Sequence, residues 1–254
     1  MPAATESFYE TDKAISEYLF FHYGRAEDFL FEGLGPAEAL DFAKRCAELA
    51  LRHPLEKGRA LDLGCAVGRS ACELSALFEQ TIGIDYSHGL IDAANRLLES
   101  KRVEISIADE GELTKAIEIE IPPNARPERV SFRQGDAMDL PGEIGVFDFV
   151  LMANLIDRLP DPRRCLSRIG SFLSAGGILA ITSPYTWLEE YTPKKNWLGG
   201  YAVNDVPVRS FQTLQQILKA QFDLIETANL PFLIREHARK NQYSIAHASL
   251  WRKR

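Results

Sequence analysis

From residue 58 onward, short apolar runs at 59–63, 81–84, 130–133, 147–152 and 177–182 are separated by glycine-bearing or polar turns. Between them, 70–78 and 89–98 carry apolar residues at helical spacing. Short apolar strands alternating with helices of this length predict a parallel sheet covered on both faces. A helix over 211–220, with strands around 222–227 and 244–250, completes the pattern. The predicted architecture is α/β: a doubly wound, seven-stranded, mostly parallel sheet with helices on both faces.

Two stretches depart from this rhythm. Residues 1–57 read as helical, with Asp12 capping a helix over 13–23 and Pro36 opening another that runs to 51. The aromatic cluster Tyr18, Phe20, Phe21, His22 and Tyr23 lies in the first of them. We expect this segment to form an N-terminal helical cap, with 58–254 the main body of one compact domain. In 101–129, Val103, Ile105 and Ile107, then Ile117, Ile119 and Ile121, alternate with polar residues around Glu110-Gly111. That alternation predicts an inserted β-hairpin, with dimer contact and sheet-edge decoration both open as its role.

Composition narrows the function. The chain is 46% apolar and 26% charged, ordinary for a globular domain. Its net charge is -7, with 36 acidic against 29 basic residues, so a general footprint for nucleic acid is missing. Cys46, Cys65, Cys72 and Cys165 form no C-x-x-C pair, which speaks against a zinc site or a disulfide framework. Glu6, Glu10 and Asp12 stand where a signal peptide would need a basic and then an apolar run. No apolar stretch approaches the ~18 residues of a membrane span. A cytoplasmic protein without metal, membrane or nucleic-acid partner is expected.

The segment Asp62-Leu63-Gly64-Cys65-Ala66-Val67-Gly68 follows the first strand. A dinucleotide loop reads G-x-G-x-x-G and aims helix amides at a pyrophosphate. Here Ala66 stands at the middle glycine, and Asp62 would repel a diphosphate. A carboxylate there suits the ammonium of an amino-acid-bearing ligand, which favours S-adenosylmethionine over NAD. Asp85, ending the second strand, can accept both ribose hydroxyls. Asp136, followed by Ala137, can accept an adenine amine, although a lone Gly-Asp is commonly a turn. Asn154, after the fourth strand, faces the methyl-donor end or caps the turn over 155–159.

These segments resemble the ovothiol-pathway 5-thiohistidine N-methyltransferases, the family found as the C-terminal domain of ovothiol synthase. The matching residues include Tyr9-Glu10-Thr11-Asp12-Lys13, Tyr18-Leu19-Phe20-Phe21-His22-Tyr23-Gly24, the loop from Ala60 to Ser70, and Ile82-Gly83-Ile84-Asp85-Tyr86-Ser87-His88. Further on come Ala153-Asn154-Leu155-Ile156-Asp157-Arg158-Leu159, Ser183-Pro184-Tyr185-Thr186-Trp187-Leu188-Glu189-Glu190, Trp197-Leu198-Gly199-Gly200 and Ile234-Arg235-Glu236-His237-Ala238-Arg239. The resemblance implies a Rossmann-like class I methyltransferase that converts 5-thiohistidine to ovothiol A. The chain lacks the His-rich iron module of ovothiol synthase, so a separate sulfoxide synthase is the implied pathway partner.

Candidate roles follow. The cofactor set is Asp62, Gly64, Cys65, Ala66, Gly68, Arg69, Asp85, Tyr86, Asp136, Ala137 and Asn154. Asn154, Asp157, Tyr185 and His237 are the catalytic candidates. For the acceptor, Tyr9, Tyr18, His22, Tyr23, Arg158, Trp187, Glu189, Arg235 and Glu236 are candidates, with Arg158 or Arg235 offering a fork to its carboxylate. An imidazole already carries one lone-pair nitrogen, so alignment should dominate over activation. Methylation of another small molecule, nicotinamide oxidoreduction and non-catalytic cofactor binding are the competing readings.

Overall fold

The computed structural model describes residues 9–254; residues 1–8 of the expected cap lie outside the described part. Helices α1 (Asp12–Tyr23), α2 (Ala26–Phe29) and α3 (Phe42–Ala47) precede the sheet. Then follow β1 (Arg59–Leu63), α4 (Arg69–Leu74), β2 (Gln80–Asp85) and α5 (His88–Ser100). The hairpin is β3 (Arg102–Glu110) with β4 (Leu113–Glu120). After it come β5 (Val130–Gln134), β6 (Phe147–Ala153), α6 (Pro162–Ile169) and β7 (Leu173–Ser183). A small hairpin, β8 (Tyr201–Val203) with β9 (Val206–Val208), leads to α7 (Ser210–Leu218). Two long strands, β10 (Phe222–His237) and β11 (Lys240–Lys253), close the chain.

The main sheet has seven strands in the order β10-β11-β7-β6-β1-β2-β5. All neighbours pair in parallel except at β11, which runs antiparallel to both β7 and β10. This is the Rossmann-like class I methyltransferase fold. Alternate strand residues feed two layers. Leu61, Leu63, Val150, Met152, Leu179 and Ile181 pack against Leu166 and Ile169 of α6 and Leu214 and Leu218 of α7. On the other face Ala60, Phe149, Leu151 and Ala180 meet Phe42 and Cys46 of α3 and Leu74 of α4. The chain turns from β1 toward β2 on one side and later returns to β6 on the other. The crevice above β1 and β6 is therefore the topological switch point, where open α/β sheets bind ligands.

Several expectations need correction. Thr11, not Asp12, caps α1, its side chain accepting from Ala14 N at 3.2 Å. The helix expected from Pro36 to 51 is broken, because Asp41 sits at φ 54° and separates a short 3-10 turn from α3. The stretch 70–78 is helical only to Leu74 and finishes in turns. β10 and β11 run far past the predicted 222–227 and 244–250. β11 pairs with β7 only from His247 to Arg252, so the ends of β10 and β11 form a two-stranded arm beyond the carboxyl edge.

The inserted hairpin belongs to neither edge of the main sheet. Its buried face (Ile105, Ile107, Ile117, Ile119) lies in one cluster with Leu19, Phe20 and Tyr23 of α1 and Leu90, Ala93 and Leu97 of α5. Its tip meets the arm: Ala238 N donates to Asp109 O at 3.1 Å, and Arg235 Nη1 donates to Ala108 O at 2.5 Å. All four cysteines are free and buried. Among the described residues no helix is long and apolar enough to cross a membrane.

One-sided packing of the hairpin sets a stability contrast. Ile119 is 2% exposed, so Ile119→Ala should destabilise the fold by about 2–5 kcal/mol. Glu120→Ala, on the exposed side, should change it by less than about 0.5 kcal/mol. Urea denaturation midpoints of the two variants check this.

Candidate active site

The first wall of the crevice is the turn after β1. Gly64 (φ 78°), Ala66 (φ 47°) and Gly68 (φ 84°) all take the left-handed region, which reverses the chain tightly into α4. The two glycines are also demanded by protein neighbours. A Cβ on Gly64 would lie 2.8 Å from Leu155 Cδ1, and one on Gly68 2.2 Å from Phe132 Cζ. Cys65 is buried against Gly83. Helix α1 is fastened to the same turn, since Tyr23 donates through its hydroxyl to Val67 O at 3.0 Å. Arg69 Nη1 donates to His22 O at 3.1 Å, and Arg69 also pairs with Glu73 at 2.8 Å.

Two carboxylates head the neighbouring strands. Asp62 is 1% exposed, and its Oδ2 has no hydrogen-bond partner among the described residues. Burial, with Asp85 close by, pushes its pKa up to about 7. Asp85 accepts from Ala66 N at 2.9 Å through Oδ2 and from Ser87 N at 3.0 Å through Oδ1. Burial raises its pKa, while those amides work against the rise. The Tyr86 amide acts on the same carboxylate, which still keeps part of its accepting capacity. Beyond them, Asp136 Oδ1 accepts from Met138 N at 2.8 Å, shaping the turn after β5, and Ala137 packs on the core. Tyr86 is 54% exposed beside this turn, its carbonyl taking Gln134 Nε2 at 3.0 Å.

The opposite wall is built after β6 and β7. Asn154 sits at φ 50° and exchanges bonds with Thr182 at β7: its N–H reaches Thr182 Oγ1 at 3.1 Å, and that hydroxyl donates to Asn154 Oδ1 at 3.0 Å. Its side chain caps no helix. Asp157 is 0% exposed and accepts from Ser183 Oγ (2.9 Å), Thr186 N (3.0 Å) and Arg158 Nη1 (3.2 Å). With its oxygens so engaged, it positions its neighbours and does not take up a proton from an acceptor. Tyr185, at φ 55°, is held by its N–H to Ser183 Oγ at 2.9 Å, and its hydroxyl lies 2.9 Å from His247 Nδ1. Burial lowers the His247 pKa and raises that of Tyr185.

Tyr9 and Tyr18 close the crevice from the N-terminal side, their rings 5.8 Å apart. Glu10 fixes this segment on the start of α5 by accepting from His88 N at 3.1 Å and Gly89 N at 2.8 Å. His22 lies beside Tyr18 and Phe21, with its pKa lowered to about 3 by burial and Arg69.

Other candidates lie elsewhere. His237, Glu236 and Arg235 belong to the tip of the arm: His237 Nδ1 accepts from Arg239 N, and Glu236 pairs with Lys240. Arg235 stacks over Phe20 while bonding the hairpin. Trp187 is core, its Nε1 donating to Ser210 Oγ at 2.8 Å, and Glu189 is exposed. His247 escaped sequence reasoning because only the β7–β11 register sets it opposite Ser183. Tyr191 escaped as well, although it directly follows the distinctive segment ending at Glu190.

Known proteins resemble this chain over the same elements. The methyltransferase-domain family model matches residues 61–181, from β1 through β7. The match falls on the strands and turns that carry Asp62, Asp85 and Asn154. A trans-aconitate 2-methyltransferase of Methylobacterium radiotolerans is 30% identical over 141 residues, 54% of this chain and 43% of that protein. The chain spans about half the length of the curated relatives it matches. Among solved structures, the N-methyltransferase NodS of Bradyrhizobium japonicum in complex with S-adenosylhomocysteine superposes with TM-score 0.52. It is 14% identical, over 94% of this chain and 98% of that one. The [4+2]-cyclase SpnF gives 0.60 at 18% identity, over 98% and 94%. Both likenesses concern the fold.

S-adenosylmethionine is the cofactor of such a domain, and the residues fit it. The unpartnered Asp62 oxygen asks for a buried cation, which an α-ammonium supplies. The remaining lone pairs of Asp85 suit ribose hydroxyls. A diphosphate would face two carboxylates instead.

Because Asp62 holds its proton more tightly folded than unfolded, its ionisation destabilises the free protein progressively as pH rises from about 4 through 7. An ammonium ligand needs the ionised form. Affinity for S-adenosylhomocysteine should therefore rise by up to about tenfold per pH unit until near 7 and then level off. Asp62→Asn should weaken binding and flatten the acidic limb. Calorimetric titration from pH 5.5 to 8.5 checks both.

Proposed function

We propose that this protein is an S-adenosylmethionine-dependent N-methyltransferase acting on an imidazole nitrogen of 5-thiohistidine to form ovothiol A. The observation that carries methyl transfer is the buried, unpartnered oxygen of Asp62 beside Asp85. The narrower choice of acceptor rests on the resemblance of the segments after β6 and β7, together with the groups those segments supply.

S-adenosylmethionine supplies a methyl on a cationic sulfur, open to attack by a nitrogen lone pair. The protein's task is then to align the ring and to remove a proton, since a methylated neutral imidazole is left cationic. Nitrogen gains the methyl, sulfur keeps the bonding pair, and one ring proton departs. The Tyr185 hydroxyl, backed by His247 Nδ1 at 2.9 Å, gives that proton an exit. Burial keeps His247 neutral near pH 7, in the form that can accept. Tyr185 holds a left-handed backbone conformation that is costly for a bulky side chain, a feature that concentrates at functional sites. Asp157 and Ser183 lock that conformation from below.

Incubation with the methyl donor and 5-thiohistidine, histidine or an unrelated thiol, read by mass spectrometry, tests the acceptor. Addition of one methyl to 5-thiohistidine alone is expected. Cofactor binding without that product would overturn the acceptor and leave another small molecule or a non-catalytic role; failure to bind the cofactor would overturn methyl transfer itself. Tyr185→Phe and His247→Gln should each lower kcat by about 10²-fold with little change in KM.

A further inference from the structure

Arg158 stands on the acceptor side with half of its donors uncommitted. It ends the 3-10 turn Ile156–Arg158, directly after β6. Nη1 donates to the Asp157 carbonyl at 3.0 Å, to Asp157 Oδ2 at 3.2 Å and to Thr186 O at 3.0 Å. Asp157 is itself fixed by Ser183 and Thr186, so one edge of the guanidinium is clamped to the frame. Its Nε and Nη2 make no hydrogen bond to any described residue. The ion is also stacked, its carbon 4.8 Å from the centre of the Tyr191 ring.

Tyr191 faces Tyr9 at 6.3 Å, and Tyr9 faces Tyr18 at 5.8 Å. The Tyr9 hydroxyl hydrogen-bonds those of Tyr191 and Tyr18, and burial raises the pKa of Tyr9, and that of Tyr18 to about 12, so the three form one protonated string of phenols beside Arg158. The other arginines near the crevice are committed: Arg69 to Glu73 and His22, Arg235 to the hairpin, Arg45 to Leu40 and Pro231. Arg158 acts electrostatically on both Tyr9 and Tyr18, which places its charge on the Tyr9–Tyr18 side of the crevice.

A rigid guanidinium with a free edge, ringed by phenol donors, is the donor set a carboxylate takes. We propose that Arg158, with the hydroxyls of Tyr9, Tyr18 and Tyr191, binds the carboxylate of the methyl acceptor. The acceptor is thereby selected as an amino-acid anion and held with its ring toward Tyr185. This deepens the methyltransferase reading, and it does not depend on the acceptor's thiol.

The test uses protein saturated with S-adenosylhomocysteine and two probes differing only in the carboxylate, histidine and histamine. Wild type should bind histidine about 10- to 100-fold more tightly. Arg158→Lys should erase most of that preference, since an ammonium cannot reproduce the fork. Tyr191→Phe should erode it several-fold in the same direction. Cofactor affinity should stay unchanged in both variants. Equal binding of the two probes by wild type, or a preference that survives in both variants, overturns the proposal. So does a parallel loss of cofactor affinity, which would assign Arg158 to the cofactor. Wild-type turnover of 5-thiohistidine, measured separately, tells a wrong acceptor from a wrong carboxylate site.

Discussion

Two carboxylates at the ends of adjacent parallel strands, with no protein cation between them, set the terms for this molecule. Asp62 and Asp85 are forced close by the β1–β2 register, in which Asp62 sits opposite Gly83 and Leu63 opposite Ile84. Burial raises both pKa values, with Asp85 adding to the rise at Asp62 and Glu10 to that at Asp85. A fold that keeps such a pair accepts a standing cost, relieved when a positive ligand arrives. The rest of the crevice is consistent with that demand. The β1 turn stays narrow because Leu155 and Phe132 leave no room at its glycines. Helix α1 is tied to the same turn through Tyr23 and Arg69.

Much of this was legible in the residues. Apolar runs between glycine turns disclosed the sheet strands, and isoleucine alternation disclosed the hairpin, because both periods reflect burial within a single element. The hairpin's partners were less accessible. Ile105 and Ile119 announce a buried face without saying that α1 and α5 cover it. Asp41 broke an apparently continuous helix through a left-handed backbone that composition does not reveal.

On the site, legibility divides along the same line. Asp62, Asp85 and Asn154 were nominated because each lies at or next to the carboxyl end of a strand, and those ends converge in a parallel sheet. The Ile-Arg-Glu-His segment misled for a physical reason. It carries chemistry-bearing side chains, but β10 outruns its neighbours and takes them to the tip of the arm, where Glu236 meets Lys240 and Arg235 meets the hairpin. His247 is the converse: an unremarkable residue in β11, between β10 and β7, delivered to Tyr185 by an antiparallel register. Asp157 stood among the catalytic candidates, and Arg158, Ser183 and Thr186 tie it into the wall of the crevice.

The clasp between arm and insertion has a consequence for one wall of the crevice. Asp109 and Ala108 on one hairpin are bonded to Ala238 and Arg235 on the other, and Phe20 of α1 lies beneath that junction. The C-terminal half of the first helix is thus belted in place. Its leading end is fastened by Glu10 on two α5 amides, by Ser87 donating to Tyr9 O at 3.2 Å, and by the Tyr9 ring against Tyr18 and Tyr191. The wall that Tyr9 and Tyr18 lend to the crevice is thus braced, through one helix, by strands from the far end of the chain.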